Sequence, residues 1–157
     1  MCLRVFLGGA GVIAADTEQP HEPRFKVWPL PESAAGVRVH LPGPQLVEVG
    51  AHTGCACGFN SAGYAFDGFA RTEEVTAHLA AMTDEECAAW RSEQDSRERL
   101  AARIADAARA GEVVVYAVWW GDEALPPTEE RTVDATYFAT FTEPLVERVL
   151  YRVRTSA

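Results

Sequence analysis

Two thiols and an imidazole lie within six residues in the middle of the chain, in the segment His52-Thr53-Gly54-Cys55-Ala56-Cys57-Gly58. The wider stretch from Gly50 to Gly63 contains four glycines, which allow positive φ angles and let the backbone approach a ligand closely. Cysteine and histidine serve both as metal ligands and as groups for nucleophilic and acid-base chemistry. This segment is therefore the candidate functional site.

Zinc binding is one chemistry that the segment could support. Zinc accepts thiolate sulfur and imidazole nitrogen in a tetrahedral shell. His52, Cys55 and Cys57 could supply three ligands, and Cys2, His40 or a water molecule could supply the fourth. The spacing departs from the usual pair of cysteines separated by two residues, and the chain has no second cysteine pair. Zinc is the one cofactor that these residues suggest.

A reactive or redox-active thiol is the second chemistry. Cys55 or Cys57 would be the nucleophile, His52 would raise its thiolate fraction, and backbone N–H groups around Gly54 and Gly58 would form an anion site. In an extended backbone the two cysteine Cα atoms would lie roughly 7 Å apart, at the limit for an unstrained disulfide. A turn would bring the sulfur atoms closer and favour either reversible oxidation or a shared metal ion.

The third interpretation is structural, because cysteine is among the residue types most often buried. Cys55 and Cys57 would then pack a tight turn against a sheet, and Cys2 is expected to be buried at the start of a strand. Further along the chain, Tyr116, Trp119 and Trp120 could line a ligand pocket, although a buried strand also explains them. Asp67 could orient His52, or it could form a turn with the glycine that follows it.

The first half of the chain is expected to be mostly sheet and loop. Leu3 to Leu7 is rich in branched and aromatic residues and ends at a pair of glycines, as a short strand does. Three more extended segments are predicted between prolines and glycines: Phe25 to Leu30, Val37 to Leu41 and Leu46 to Val49. In the second of these, apolar residues alternate with polar ones at the period of a half-buried strand.

Two helices are predicted in the middle of the chain. The first covers about residues 72–82, where apolar side chains recur at helical spacing. The second covers about residues 84–110 and begins at a capping box formed by Thr83 and Glu86. Its apolar stripe is interrupted around Arg97.

The last part of the chain returns to strands. Val113 to Trp120 is almost wholly apolar and is predicted to be a central strand covered on both faces. Gly121 to Arg131 is predicted to be a loop, and Asp134 to cap a single helical turn. Val146 to Val153 is predicted to be the final strand, with a helix as the competing interpretation.

These elements predict an α+β fold in a single domain, residues 1–157, with a mixed or antiparallel sheet packed against the two helices. A chain of this length, with 48% hydrophobic and 24% charged residues, has the composition of a globular protein with one core. No apolar stretch approaches the roughly 20 residues of a membrane-spanning helix. Four cysteines in such a chain are expected to be reduced thiols, as they are in the cytoplasm.

The charge of the chain excludes several partners. The formal net charge is −9, and the chain contains one lysine, so neither a phosphate backbone nor an anionic membrane surface is an expected partner. A homodimer formed through aromatic surface is compatible with the composition.

Met1-Cys2-Leu3 and the segment His52-Thr53-Gly54-Cys55-Ala56-Cys57-Gly58-Phe59 together resemble a group of small bacterial proteins without an established activity. The resemblance implies that the cysteine-rich loop recurs in that group, and it assigns no catalytic roles. Two functions follow from the residues themselves. One is a binding or regulatory module whose His52, Cys55 and Cys57 are structural or hold a metal ion. The other is a small thiol-dependent enzyme or redox protein in which Cys55 or Cys57 is the reactive thiol.

Overall fold

One mixed sheet organises the part of the chain that the computed structural model describes, residues 2–11, 13–16, 24–41, 43–60, 77, 80–139 and 145–154. Its strands lie in the spatial order β2-β3-β1-β4-β6-β5. Neighbouring strands are antiparallel except β5 and β6, which are parallel. The six strands are β1 (Leu3–Gly9), β2 (Lys26–Pro29), β3 (Leu46–Gly50), β4 (Val113–Trp119), β5 (Glu129–Val133) and β6 (Val149–Val153).

The two central strands, β1 and β4, pair along their whole length, from Leu3 opposite Trp119 to Gly9 opposite Val113. Every residue of β1 and all but the last residue of β4 are buried. A strand that is covered on both faces needs apolar side chains in both directions, and the run of valines in β4 provides them. The predicted central strand is therefore confirmed.

A long helix, Asp84–Ala108, covers one face of the sheet. It begins at the predicted capping box: the Glu86 backbone N–H donates to Thr83 Oγ1 over 3.2 Å, and the Thr83 N–H donates to Glu86 Oε2 over 2.8 Å. Leu100 and Ile104 pack against the side chains of β1 and β4 that point to this face. Gly111, with φ of +143°, turns the chain from the helix towards β4.

The opposite face of the sheet is covered by a 3-10 helix, Glu32–Val39, where sequence analysis predicted an extended segment from Val37 to Leu41. That prediction is wrong because Ala34 and Val37 are three residues apart, so a 3-10 helix places both on the same side. Both are fully buried against Phe6 and Tyr116, whereas Val39 is 78% exposed.

One further difference and two confirmed predictions concern the last third of the chain. The predicted loop from Gly121 to Arg131 ends early, because β5 begins at Glu129 and pairs with β6. Asp134 does cap a helical turn, since its Oδ1 accepts from the backbone N–H groups of Thr136 and Tyr137 at 2.8 and 3.2 Å. Strand β6 confirms the extended interpretation of the C-terminal segment.

The predicted fold class, α+β with a mixed sheet, two helices and a single domain, is confirmed. Of the first predicted helix, residues 77, 80 and 81 are helical, and most of its other positions lie outside the described residues. No helix within the described ranges is both long enough and apolar enough to cross a membrane.

Candidate functional site

The candidate loop connects β3 to a short 3-10 helix, Ala56–Phe59. It is closed by two backbone hydrogen bonds, from the Gly54 N–H to the Ala51 carbonyl over 2.9 Å and from the Ala51 N–H to the Cys55 carbonyl over 3.1 Å. Gly54 has a φ of +79°, which a residue with a side chain rarely adopts. The glycine at this position thus permits the turn that precedes the first thiol.

The turn places the Thr53 hydroxyl beside Cys55. The Thr53 hydroxyl donates to the Cys55 carbonyl oxygen over 3.1 Å, and its Oγ1 lies 3.6 Å from the Cys55 Sγ. Gly58 packs directly against it, since a Cβ on Gly58 would lie 2.6 Å from Thr53 Oγ1 and 2.9 Å from the Ala51 Cβ. Any larger residue at Gly58 would displace the hydroxyl from the thiol.

The two loop thiols lie side by side and differ in acidity. Burial works against ionisation of Cys55, but hydrogen bonds from the Thr53 hydroxyl, the Cys57 N–H, the Cys57 thiol and the Gly58 N–H outweigh it, and the pKa of Cys55 is lowered. Burial raises the pKa of Cys57, and the neighbouring Cys55 and Cys2 raise it further. Of the two, Cys55 is therefore the thiol that forms a thiolate more readily.

Cys57 is tied to the first strand of the sheet. The Leu3 backbone N–H donates to the Cys57 Sγ over 3.2 Å, although the two residues are 54 positions apart in the sequence. Strand β3 pairs with β1 only as far as Val5, so Cys57 satisfies a donor of β1 beyond that pairing.

The His52 imidazole is turned towards the long helix. Its Nδ1 lies 3.3 Å from the Ser96 Oγ, and the His52 backbone N–H donates to the same oxygen over 2.9 Å. Burial lowers the pKa of His52, against the opposing charges of Glu93 and Asp95. His52 therefore does not lie beside the Cys55 thiol, contrary to the prediction from the sequence. The groups beside that thiol are the Thr53 hydroxyl and two backbone N–H groups.

Within the described ranges, no three His, Cys, Asp or Glu side chains converge where they could hold a metal ion. The predicted ligands His52, Cys55, Cys57 and Cys2 do not form such a group. His40, considered as a fourth ligand, lies against the other face of the sheet, with its Nε2 3.0 Å from the Ala124 carbonyl oxygen. Cys2, expected to be buried, is exposed.

Cys55 and Cys2 line a groove of about 570 Å³ at the edge of the sheet. Its other lining residues include Trp28, Trp120, Pro29, Leu30 and Pro31. Trp120 is 63% exposed, whereas Tyr116, which was considered as a pocket residue, is fully buried and donates from its hydroxyl to the Leu125 carbonyl. Cys55, the cysteine of lowered pKa, is therefore one of the residues that line a mainly apolar cleft, together with two tryptophans.

A buried charge cluster fixes part of this groove. The Arg4 guanidinium, 4% exposed, binds both carboxylate oxygens of Glu48 and one of Glu123, each at 2.7 Å. The Trp120 ring covers it, with the Arg4 Cζ 4.8 Å from the ring centre. The cluster joins β1 to β3 and to the turn after β4, so the residues around the groove are held in fixed relation.

Sequence analysis missed the residues that anchor the loop to the helix. Arg97, 3% exposed, lies 3.7 Å from the fully buried Glu93, and its Nε donates to the Phe59 carbonyl over 2.8 Å. Asn60 exchanges two hydrogen bonds of 2.9 Å with the backbone of Leu145. The signal for Arg97 was its spacing, because it lies three residues before Leu100 on the buried stripe and four after an acidic residue.

The predicted role of Asp67 concerns a residue outside the described ranges.

Comparisons of the chain with protein-family models, with curated proteins and with solved structures returned no match.

Proposed function

We propose that this protein is a small thiol-dependent redox protein that performs thiol–disulfide exchange at Cys55. One observation carries the proposal: Cys55 lines an apolar groove, its sulfur lies 3.6 Å from the Thr53 hydroxyl, and a second cysteine, Cys57, follows two residues later in the same loop. Thiol–disulfide exchange needs an accessible thiolate and a nearby thiol that completes the reaction. Cys55 and Cys57 supply the two.

The first step is attack by Cys55. Its thiolate attacks one sulfur of a disulfide held in the groove, the disulfide bond breaks, and the second sulfur leaves as a thiolate that takes a proton from water. Cys55 is then joined to the substrate through a mixed disulfide. The donors that lower the pKa of Cys55 stabilise the thiolate before attack.

The second step belongs to Cys57. Its thiol loses a proton, attacks the Cys55 Sγ, and releases the remaining substrate sulfur as a thiol. In total the two cysteines lose two electrons and two protons, and the substrate disulfide is reduced to two thiols. The raised pKa of Cys57 favours its protonated form, so we assign the first attack to Cys55 and the second to Cys57.

This function suits a reducing compartment, and we place the protein in the cytoplasm, where the thiols would be regenerated. None of the four cysteines, all of which lie within the described ranges, forms a disulfide in the structure. The zinc alternative predicts about one zinc ion per chain in protein purified without chelator, and we expect a content far below that.

The test uses a two-thiol protein, the double variant Cys2→Ser with Cys87→Ser, and an aromatic disulfide, dithiobis(nitrobenzoic acid). We expect two nitrothiobenzoate ions to be released per chain and none to stay attached, because Cys57 displaces the one bound to Cys55. Absorbance measures the released ions, and reduction of the desalted protein measures the attached ones.

Adding Cys57→Ser to this protein provides the matched control. One ion should then be released and one should stay attached to Cys55. If the two-thiol protein instead retains two ions, the thiols react independently and do not act as an exchange pair. If neither thiol reacts faster than in the unfolded protein, the proposed function is wrong.

A second candidate function is binding without chemistry, as a module for an apolar ligand. The observation that favours it is the groove itself, with its tryptophan, proline and leucine side chains, together with the structural hydrogen bond that Cys57 accepts from Leu3. The variant Cys55→Ser separates the two functions. A binding module would retain its affinity for a nitrobenzene derivative, and the wild-type protein would show no exchange with the disulfide.

A further inference from the structure

A third thiol, that of Cys2, lines the same groove as Cys55. Cys2 is exposed, and its backbone is held by the central strands, because the Trp120 N–H donates to the Cys2 carbonyl over 2.9 Å. Its position relative to the exchange pair is therefore defined by the sheet.

Cys57 contacts the start of β1, next to Cys2. The Cys57 Sγ is 3.2 Å from the Leu3 backbone nitrogen. The Cys2 Cα is two bonds from that nitrogen, and those bond lengths sum to about 2.9 Å. The Cys57 Sγ thus lies within roughly 6 Å of the Cys2 Cα, so rotation of the Cys2 side chain can bring the two sulfur atoms together.

A bond between Cys55 and Cys57 would be the less favourable of the two disulfides. Only Ala56 separates the two cysteines, so this bond has to form within three consecutive residues, and Ala56 itself belongs to the 3-10 helix Ala56–Phe59, which leaves the backbone little freedom to adjust to the geometry of the bond. Cys2 and Cys57 belong to different elements, so the bond between them does not have to close within three consecutive residues.

Building on the proposed function, we infer that Cys2 is a second resolving thiol, which moves the disulfide from Cys55–Cys57 to Cys2–Cys57. The Cys2 thiol loses a proton and attacks the Cys57 Sγ. The Cys55–Cys57 bond breaks, and Cys55 leaves as a thiolate. No net oxidation occurs in this step, because one disulfide replaces another.

The geometry explains why attack falls on Cys57. Attack there releases Cys55, whose thiolate is stabilised by Thr53 and the backbone, and a thiolate that is stabilised leaves faster. The step restores a free Cys55 in the groove and joins the start of β1 to the loop.

Peptide mapping tests the inference. The Cys87→Ser protein is oxidised with one equivalent of dithiobis(nitrobenzoic acid), the remaining thiol is alkylated with iodoacetamide, and trypsin is added. Trypsin cleaves after Arg4, Arg38 and Arg71, so Cys2 lies in one peptide and both loop cysteines lie in another. We expect the main product to be these two peptides joined by a disulfide, with the alkyl group on Cys55.

The Cys2→Ser version of the same protein is the control, and we expect complete loss of the joined peptides and a bond within the loop peptide. If Cys2 is intact and the bond still lies within the loop peptide, Cys2 is no resolving thiol, while the exchange function stands. A link from Cys2 to Cys55, with the alkyl group on Cys57, would also overturn the inference. If no disulfide forms in either protein, the proposed function fails and the inference fails with it.

Discussion

At the scale of single residues, the hydroxyl of Thr53 distinguishes Cys55 from an ordinary buried thiol. It lies 3.6 Å from the Cys55 Sγ, and the glycine at position 58 leaves space for it, since a Cβ there would lie 2.6 Å from Thr53 Oγ1. When the thiol is protonated it can donate to this hydroxyl. When the thiol is ionised, the hydroxyl turns its one proton from the Cys55 carbonyl to the sulfur, and that donation favours the charged form.

Replacing Thr53 by Val is expected to slow Cys55 at neutral pH. The lowered pKa means that the thiolate forms at a lower pH than in a free cysteine, whose pKa is about 8.5. The alkylation rate therefore rises with pH and levels off above the pKa of Cys55. In Thr53→Val the midpoint of this profile should move to higher pH, and Thr53→Ser should retain it. If the profiles of alkylation rate against pH coincide for wild type and Thr53→Val, the hydroxyl does not lower the pKa of Cys55.

The two cysteines and the glycines of the loop could be identified from the sequence, because thiol reactivity and positive φ angles are characteristic of those residue types. Thr53 and the bond from Leu3 to Cys57 could not be identified from it. The first depends on the turn at Gly54, and the second joins residues that only the sheet brings together. His52 was predicted to lie beside the Cys55 thiol because the two residues are close in the sequence, but the turn directs the imidazole to Ser96.

At the scale of elements, the long helix and the loop are joined through Arg97. Its Nε donates to the Phe59 carbonyl, and it forms an ion pair with a carboxylate that is fully buried. Removing one partner of a buried pair leaves a charge without compensation.

Arg97→Ala is expected to lower the free energy of unfolding by about 3–5 kcal/mol. Arg99→Ala is the matched control on the same helix, because Arg99 is 61% exposed and pairs with the exposed Asp95. Its expected cost is about 0–1 kcal/mol. Urea unfolding measures both. Equal, small losses for the two variants would show that Arg97 does not anchor the loop.

Some secondary-structure elements could be predicted from the sequence pattern and others could not. The capping box at Thr83 and the valine run of β4 were correctly interpreted, because local hydrogen bonding and complete burial leave clear signals. Strand β5 was missed because it is an edge strand of polar composition, Glu129-Glu130-Arg131-Thr132-Val133, with no buried residue. The 3-10 helix Glu32–Val39 was missed because its apolar residues also fit an alternating pattern.

At the scale of the whole molecule, the sheet brings the groove together from separate parts of the chain. Trp28 belongs to β2, Cys55 to the loop after β3, and Trp120 follows β4. The acidic composition still predicts that neither nucleic acid nor an anionic membrane is the partner. The homodimer and the resemblance to small bacterial proteins likewise stay predictions.

Trp120→Ala is expected to reduce the rate of Cys55 with an aromatic disulfide by roughly two- to tenfold, the loss of one aromatic contact. The rate with iodoacetamide, which is too small to need the groove, should not change. Trp120→Phe keeps a ring and should lose less. Because Trp120 is 63% exposed, the fold should tolerate all these changes. An equal loss of rate with both reagents would mean that Trp120 acts on the thiol itself and not on substrate binding.

The central claim is that Cys55 is the reactive thiol of this protein. The most direct test is alkylation of the native protein with limiting iodoacetamide across a range of pH, followed by mass spectrometry that resolves Cys2, Cys55, Cys57 and Cys87. The account predicts that Cys55 is modified first and that its profile has the lowest midpoint. If Cys55 reacts no faster than Cys87 and shows the midpoint of a free cysteine, the claim is contradicted.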